Sequence, residues 1–237
     1  RRFPLEAGIA PHFEVMDERA ASEALSEAKQ HTLQQARVGG DATLAAALAV
    51  VTRYVGEQQF DKLLEALARE RGRLAELQRG SPVGARLAVA LGTTEDATPQ
   101  SVAAAAAAEG AFDRRALTRA ASVLAAGGKT DRERSEGIAA WLVADDRVAT
   151  LDEYLDCFLT DKLAPLARLA TKDAQAASAD LETVLRAEQT RLALLVEARR
   201  KATVREASAA LIALGAALLD AYRVGKARRG RLDYDDL

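Results

Sequence analysis

The chain has 237 residues, 49% hydrophobic but only 4% aromatic, and its 33 basic and 35 acidic side chains leave a net charge of −2. That length suits one large domain or two small ones with a real core, and an alanine-rich, aromatic-poor composition favours close-packed helices over a β-sandwich. Near-neutrality gives no whole-molecule argument for nucleic acid, and a single cysteine, Cys157, excludes an internal disulfide framework and argues against a cysteine-based zinc site. His12 and His31 are too few for a metal cluster. No run reads as long and apolar enough to span a bilayer and no signal peptide opens the chain, so a soluble cytoplasmic setting without membrane contact is expected.

The expected elements are almost wholly helical. After Pro4 and Pro11, the run FEVMD at 13–17 alternates like a short strand, and Asp17 then caps a helix to about Arg37, ended by Gly39 and Gly40. Asp41 starts a second helix to about Val55, and Phe60, Leu63, Leu64, Leu67, Leu74 and Leu77 recur at helical spacing between Glu57 and Gln78. Ser81 with Pro82, and Thr98 with Pro99, are two N-cap plus N1-proline starts. The second opens an alanine-rich helix through Glu109, and Asp113 opens another to Ala126.

Two shorter helices follow, Thr130 to about Val143 and Thr150 to about Leu159, each with the spacing of a capping box, Thr130 with Glu133 and Thr150 with Glu153. Trp141 is expected to pack between them. A loop containing Pro165 leads to residues 178–229, free of proline, where Leu181, Leu185, Leu192, Leu195, Leu211, Leu214, Leu218 and Tyr222 keep helical spacing. That is one very long helix or two in series. The expected class is all-α, a multi-helix accessory domain with that long C-terminal element.

Catalytic motifs are sparse. Gly128, Lys129 and Thr130 match the end of a phosphate-binding loop, G-x-x-x-x-G-K-[ST], but Val123 stands where the first glycine belongs and the preceding segment reads as helix where a strand is needed. Glycines 127 and 128 are expected to stop one helix before the next begins. Cys157 sits in an apolar helical pattern and reads as a core thiol. The pairs Asp145–Asp146 and Asp235–Asp236 lack the further ligands a metal or shared-proton site needs and read as solvated helix ends.

Basic residues are more informative. Residues 197–231 hold Arg199, Arg200, Lys201, Arg205, Arg223, Lys226, Arg228, Arg229 and Arg231 against Glu197, Glu206 and Asp220. A second group is Arg69, Arg71, Arg73 and Arg79, and a third is Lys129, Arg132 and Arg134. Such groups neutralise phosphates and make binding fall with salt, although the same residues also make ordinary solvated faces. Arginine outnumbers lysine 26 to 7, which fits phosphate recognition and equally a GC-rich genome.

The two ends carry a resemblance. RRFPLEAGIAPHFEVMDE resembles the segment of UvrD-like superfamily 1 helicases that leads from the first motor domain into the accessory insertion known as 1B, and AYRVGKARRGRLDYDDL resembles the return from it. PLEAGIAPHFEV, FLT at 158–160, RLATK at 168–172 and LDYDDL together resemble the AddA-type subunit of the bacterial double-strand-break repair helicase-nuclease.

The resemblance implies a piece of a larger protein: a lead-in from the first motor domain at 1–17, a helical insertion at 18–229 and a return segment at 230–237. Walker A, Walker B, arginine-finger and nuclease motifs are missing, so no enzymatic activity carries over to this chain. No cofactor is expected in it; ATP and Mg²⁺ belong to the full-length parent. In this family the insertion lies beside the duplex ahead of strand separation, which makes Lys129, Arg132, Arg168, Lys172, Arg199, Arg200 and Lys201 candidates for gripping DNA phosphates without reading sequence. The other expectation is a protein-interaction module docking an AddB-like partner subunit.

Overall fold

The structure, a computed structural model, describes residues 13–38, 41–77 and 82–233. The protein is all-α. Its helices are α1 (Glu18–Arg37), α2 (Ala42–Tyr54), α3 (Glu57–Arg69), α4 (Arg71–Leu77), α5 (Val83–Leu91), α6 (Pro99–Ala107), α7 (Arg114–Ala125), α8 (Lys129–Val143), α9 (Leu151–Asp156), α10 (Lys172–Ala177) and α11 (Leu181–Arg228). Two short strands, β1 (Glu14–Val15) and β2 (Arg231–Leu232), pair in parallel, with Glu14 opposite Arg231.

Local chemistry starts most of these helices. Asp17 accepts the Ala20 amide at 2.8 Å, Asp41 accepts those of Thr43 and Leu44, and Asp113 accepts that of Ala116 at 2.9 Å. Thr98 and Ser101 cap each other's amides around Pro99. Each such cap contributes about 0.5–2 kcal/mol by satisfying an otherwise orphaned N–H.

Two expected capping boxes do not form. Helix α8 starts at Lys129, and Asp131, not Glu133, returns to accept the Gly128 amide at 3.3 Å, because its shorter side chain is already turned inward toward Thr171. Thr150 makes no side-chain cap on α9; Asp146 instead takes the Val148 and Ala149 amides, both at 3.0 Å. The stretch from Glu57 breaks at Glu70 into α3 and α4, next to Gly72 with its poor helix propensity, and α6 stops at Ala107, freeing Glu109 to bind Arg114 and Arg147. Ser81, Gly39, Gly40, His12 and the Asp235–Asp236 pair lie outside the described residues.

The long C-terminal element is one helix, α11. It contains an 18-residue window of mean hydropathy 1.5, a third of it buried, which corrects the expectation that no run is long and apolar enough to cross a membrane. The cause is the uncharged stretch from Ala207 to Leu219, rich in alanine and leucine. Length and composition alone satisfy that test, and a core helix satisfies it too.

The region expected as a single insertion at 18–229 divides into two compact units. The first takes residues up to Ala90 and from Arg205 onward. Its core joins Met16, Leu44, Val51, Phe60 and Leu64 to Leu214, Leu218 and Tyr222 of α11. Gly215 is favoured here by close approach: a Cβ would stand 2.9 Å from Leu67 Cδ1 and 3.1 Å from Leu74 Cδ2, so both leucine tips would have to move. Beside this core, Asp233 takes both guanidinium nitrogens of Arg71, the Lys226 ammonium at 3.0 Å and the Tyr222 hydroxyl at 2.9 Å.

The second unit runs from Leu91 to Val204. Its core gathers Leu117, Leu124, Ile138, Trp141, Leu151, Tyr154, Phe158, Leu185 and Leu192. Trp141 stacks on Tyr154 with ring centroids 4.0 Å apart, and its indole N–H donates to the Arg147 carbonyl. The Tyr154 hydroxyl donates to buried Glu188 at 2.7 Å, and Arg191 neutralises the same carboxylate through both its oxygens, at 2.6 and 2.8 Å. A buried carboxylate needs both, since an unpaired one costs several kcal/mol, on the order of its desolvation.

Candidate nucleic-acid interface

All seven sequence-derived cations fall in the second unit. Lys129 and Arg132 lie exposed on the first turn of α8, and Lys172 lies exposed on the first turn of α10. One buried group draws those two helix starts together. Asp131, 1% exposed, accepts the Thr171 amide at 3.0 Å and the Thr171 hydroxyl at 2.6 Å. Thr171 in turn caps α10. Arg168, three residues upstream on the same loop, is exposed as well.

That loop, residues 157–171, is fastened from two sides. From α8, Arg134 donates to the Cys157 carbonyl at 2.8 Å and to the Leu169 carbonyl. From α11, Arg186 donates to the Leu166 and Ala167 carbonyls, and Gln189 to those of Phe158 and Leu166. At the tip, Leu159 bridges Pro165, and Leu163 adopts a left-handed φ of 60°. Such a conformation costs a leucine about 1–3 kcal/mol and persists only where the surroundings over-determine it. Burial lowers the Arg134 pKa while the guanidinium stays charged, so it serves as a fixed donor to carbonyls and not as a phosphate ligand.

Arg199, Arg200 and Lys201 stand apart from this group, on α11. Arg199 pairs with Asp152 of α9 at 2.8 Å, Arg200 pairs with Glu197 at 2.6 Å, and Lys201 is exposed. Among the described residues Arg132, Arg168, Lys172 and Lys201 form no ion pair, whereas Lys129 approaches Glu133 at 3.8 Å on a fully solvated edge. Exposed pairs of this kind contribute about 0–1 kcal/mol and exchange readily for another anion.

Most of the remaining basic groups dissolve into internal pairs, while Arg228 stays exposed. Arg223 binds Asp220, Arg229 binds Glu27, Arg231 approaches Glu14 and Lys226 is buried on Asp233. In the second sequence cluster Arg69 approaches Glu65, Arg73 binds Glu70 and Arg71 binds Asp233; Arg79 lies outside the described residues. The long basic window of the sequence is therefore no continuous cationic stripe.

The GGKT stretch joins α7 to α8, with no strand before it. Cys157 packs against Gly137 and the core, and burial pushes its thiol up to about 11. No group of three or more His, Cys, Asp or Glu residues able to hold a metal occurs among the described residues. In the first unit, a cleft of about 930 Å³ opens beside Met16, Lys29, Leu64, Tyr222 and Asp233.

Sequence reasoning missed the fastening of the 157–171 loop and the tip at Leu163. The available signal was the pair of stretches FLT and RLATK, which bracket that loop. In comparisons with family models, curated proteins and solved structures, nothing matches the chain.

Proposed function

We propose that this chain is the non-catalytic, DNA-gripping helical region of a bacterial AddA-type helicase-nuclease that acts in double-strand-break repair. The observation that carries the reading is the grouping of Lys129, Arg132, Arg168 and Lys172 as exposed cations around the buried Asp131–Thr171 junction. Such a group meets phosphate oxygens without reading bases, holding the duplex while motor domains elsewhere in the parent consume ATP. Arg199, Arg200 and Lys201 add a secondary contact once Asp152 and Glu197 are exchanged for phosphate. Two further features support the reading: the motif resemblance at both ends, and the pairing of β1 with β2, which lets the helical region enter and leave side by side as an insertion must.

The test is fluorescence anisotropy of the chain with a labelled forked duplex across a salt series. Binding that weakens log-linearly with salt, with a slope near −0.9 per phosphate contacted, and that is lost in the triple variant Lys129→Glu, Arg132→Glu, Lys172→Glu, is the expected result. Absence of binding at low salt, with salt-insensitive capture by an AddB-like subunit, overturns it in favour of a docking module.

A further inference from the structure

We propose that the tip of the 157–171 loop is an apolar wedge for stacked bases, with Leu163 as the inserting side chain. The inference rests on the reading of the second unit as a DNA contact.

The tip is a tight antiparallel turn. The Thr160 amide donates to the Ala164 carbonyl at 2.8 Å, the Leu163 amide donates to the Thr160 carbonyl at 2.6 Å, and the Thr160 hydroxyl accepts the Ala164 amide. A turn that places its last residue in the left-handed region selects glycine or asparagine there, since neither clashes with the following carbonyl. Leucine stands in that position, and Leu163 is the only non-glycine residue with positive φ among those described. The residue is 37% exposed and lies outside the core of its own unit. A bulky apolar group is thus held against backbone preference, partly exposed and outside the core of its unit.

The surroundings indicate the partner. The loop carries Lys162 and Arg168 against Asp161 alone, and Lys172 opens α10 directly after it. An apolar side chain set among cations fits DNA, where leucine and similar residues wedge between base steps while the cations hold the flanking phosphates. A protein-docking centre would instead draw on tryptophan, tyrosine or arginine anchors. A wedge also has to be stiff, and the carbonyls at 157, 158, 166, 167 and 169 are all tied to side chains of α8 and α11.

The experiment uses the whole chain and a forked duplex carrying a fluorescent aminopurine beside the junction. The expected result is a rise in aminopurine fluorescence at saturation, lost in Leu163→Gly and Leu163→Ala, while affinity by anisotropy shifts less than about threefold because phosphate contacts carry it. Leu163→Gly accepts the left-handed turn without strain, and an unchanged thermal midpoint excludes unfolding as the cause. Salt-sensitive binding with no fluorescence rise, or a rise that survives in Leu163→Gly, overturns the wedge and leaves the phosphate grip standing. Failure to bind at low salt overturns both, and loss of AddB-like subunit capture in Leu163→Gly reassigns the tip to a protein partner.

Discussion

Asp131 and Thr171, forty residues apart in the chain, are joined twice: the threonine donates both its hydroxyl, at 2.6 Å, and its amide, at 3.0 Å, to a carboxylate that solvent barely reaches. A charge-assisted bond of this kind is roughly twice as strong as a neutral one. Removing the acceptor also leaves the half-buried Thr171 donors unsatisfied.

Asp131→Ala is therefore expected to destabilise the protein by about 2–4 kcal/mol, and Thr171→Val by about half as much, since it spares the amide bond. Urea denaturation of both single variants and the double variant measures this. Additive effects would show that the two residues act independently.

A second coupling involves Gly137. A Cβ there would collide with the Cys157 sulfur, so Gly137→Ala is expected to cost about 1–3 kcal/mol through overpacking. Shrinking the neighbour makes room. The double variant Gly137→Ala, Cys157→Ala should recover much of that loss, and a double-mutant cycle reads the recovery directly.

Acid pH acts on the first unit through Asp233. Burial pushes this carboxyl up, but the hydrogen bonds from Arg71, Lys226 and Tyr222 outweigh it and hold the group well below the usual carboxylate range. A depressed folded-state pKa stabilises the fold above the unfolded value of about 3.9 and loses that contribution as pH falls below it. The urea midpoint should thus drop between about pH 5 and pH 2. In Asp233→Asn the midpoint is expected to be lower at neutral pH, by about 3 kcal/mol of stability, and its acid decline to be shallower.

Cys157 supplies a chemical readout of the second unit. Its thiol is pushed up to about 11 by burial, so little thiolate exists at pH 8 and alkylation of the folded protein should run on the order of 100-fold slower than in urea. Equal rates in the two states would place the sulfur in solvent.

Much of the fold was legible because helix starts are decided locally. Asp17, Asp41, Thr98 and Asp113 each cap a helix within three residues of themselves, a distance that spacing rules capture. The Thr130–Glu133 and Thr150–Glu153 boxes failed for an equally local reason, since Asp131 takes the Gly128 amide where α8 begins and Asp146 takes the Val148 and Ala149 amides just before α9. The candidate interface was less legible. The basic window from 197 to 231 looked uncompensated because its acids, Glu14, Glu27, Asp152 and Asp233, arrive from distant or adjoining segments. Nor does any local pattern announce that Arg134 and Arg186 would be spent on the carbonyls of one loop.

Those guanidinium-to-carbonyl bonds reframe the predominance of arginine, 26 against 7 lysines. Arg86 reaches Leu77, Arg114 reaches Leu142, Arg191 reaches Ala106, and Arg134 and Arg186 each span two carbonyls. A planar fork can bridge two acceptors at once, and a lysine ammonium at the same position keeps the charge but loses the bridge. In a helical protein with few aromatic side chains, arginine thus works as a peg that pins helix ends and loop backbone to neighbouring helices. Lysine exchange at Arg134 or Arg186 would leave the isoelectric point almost unchanged while setting the loop loose.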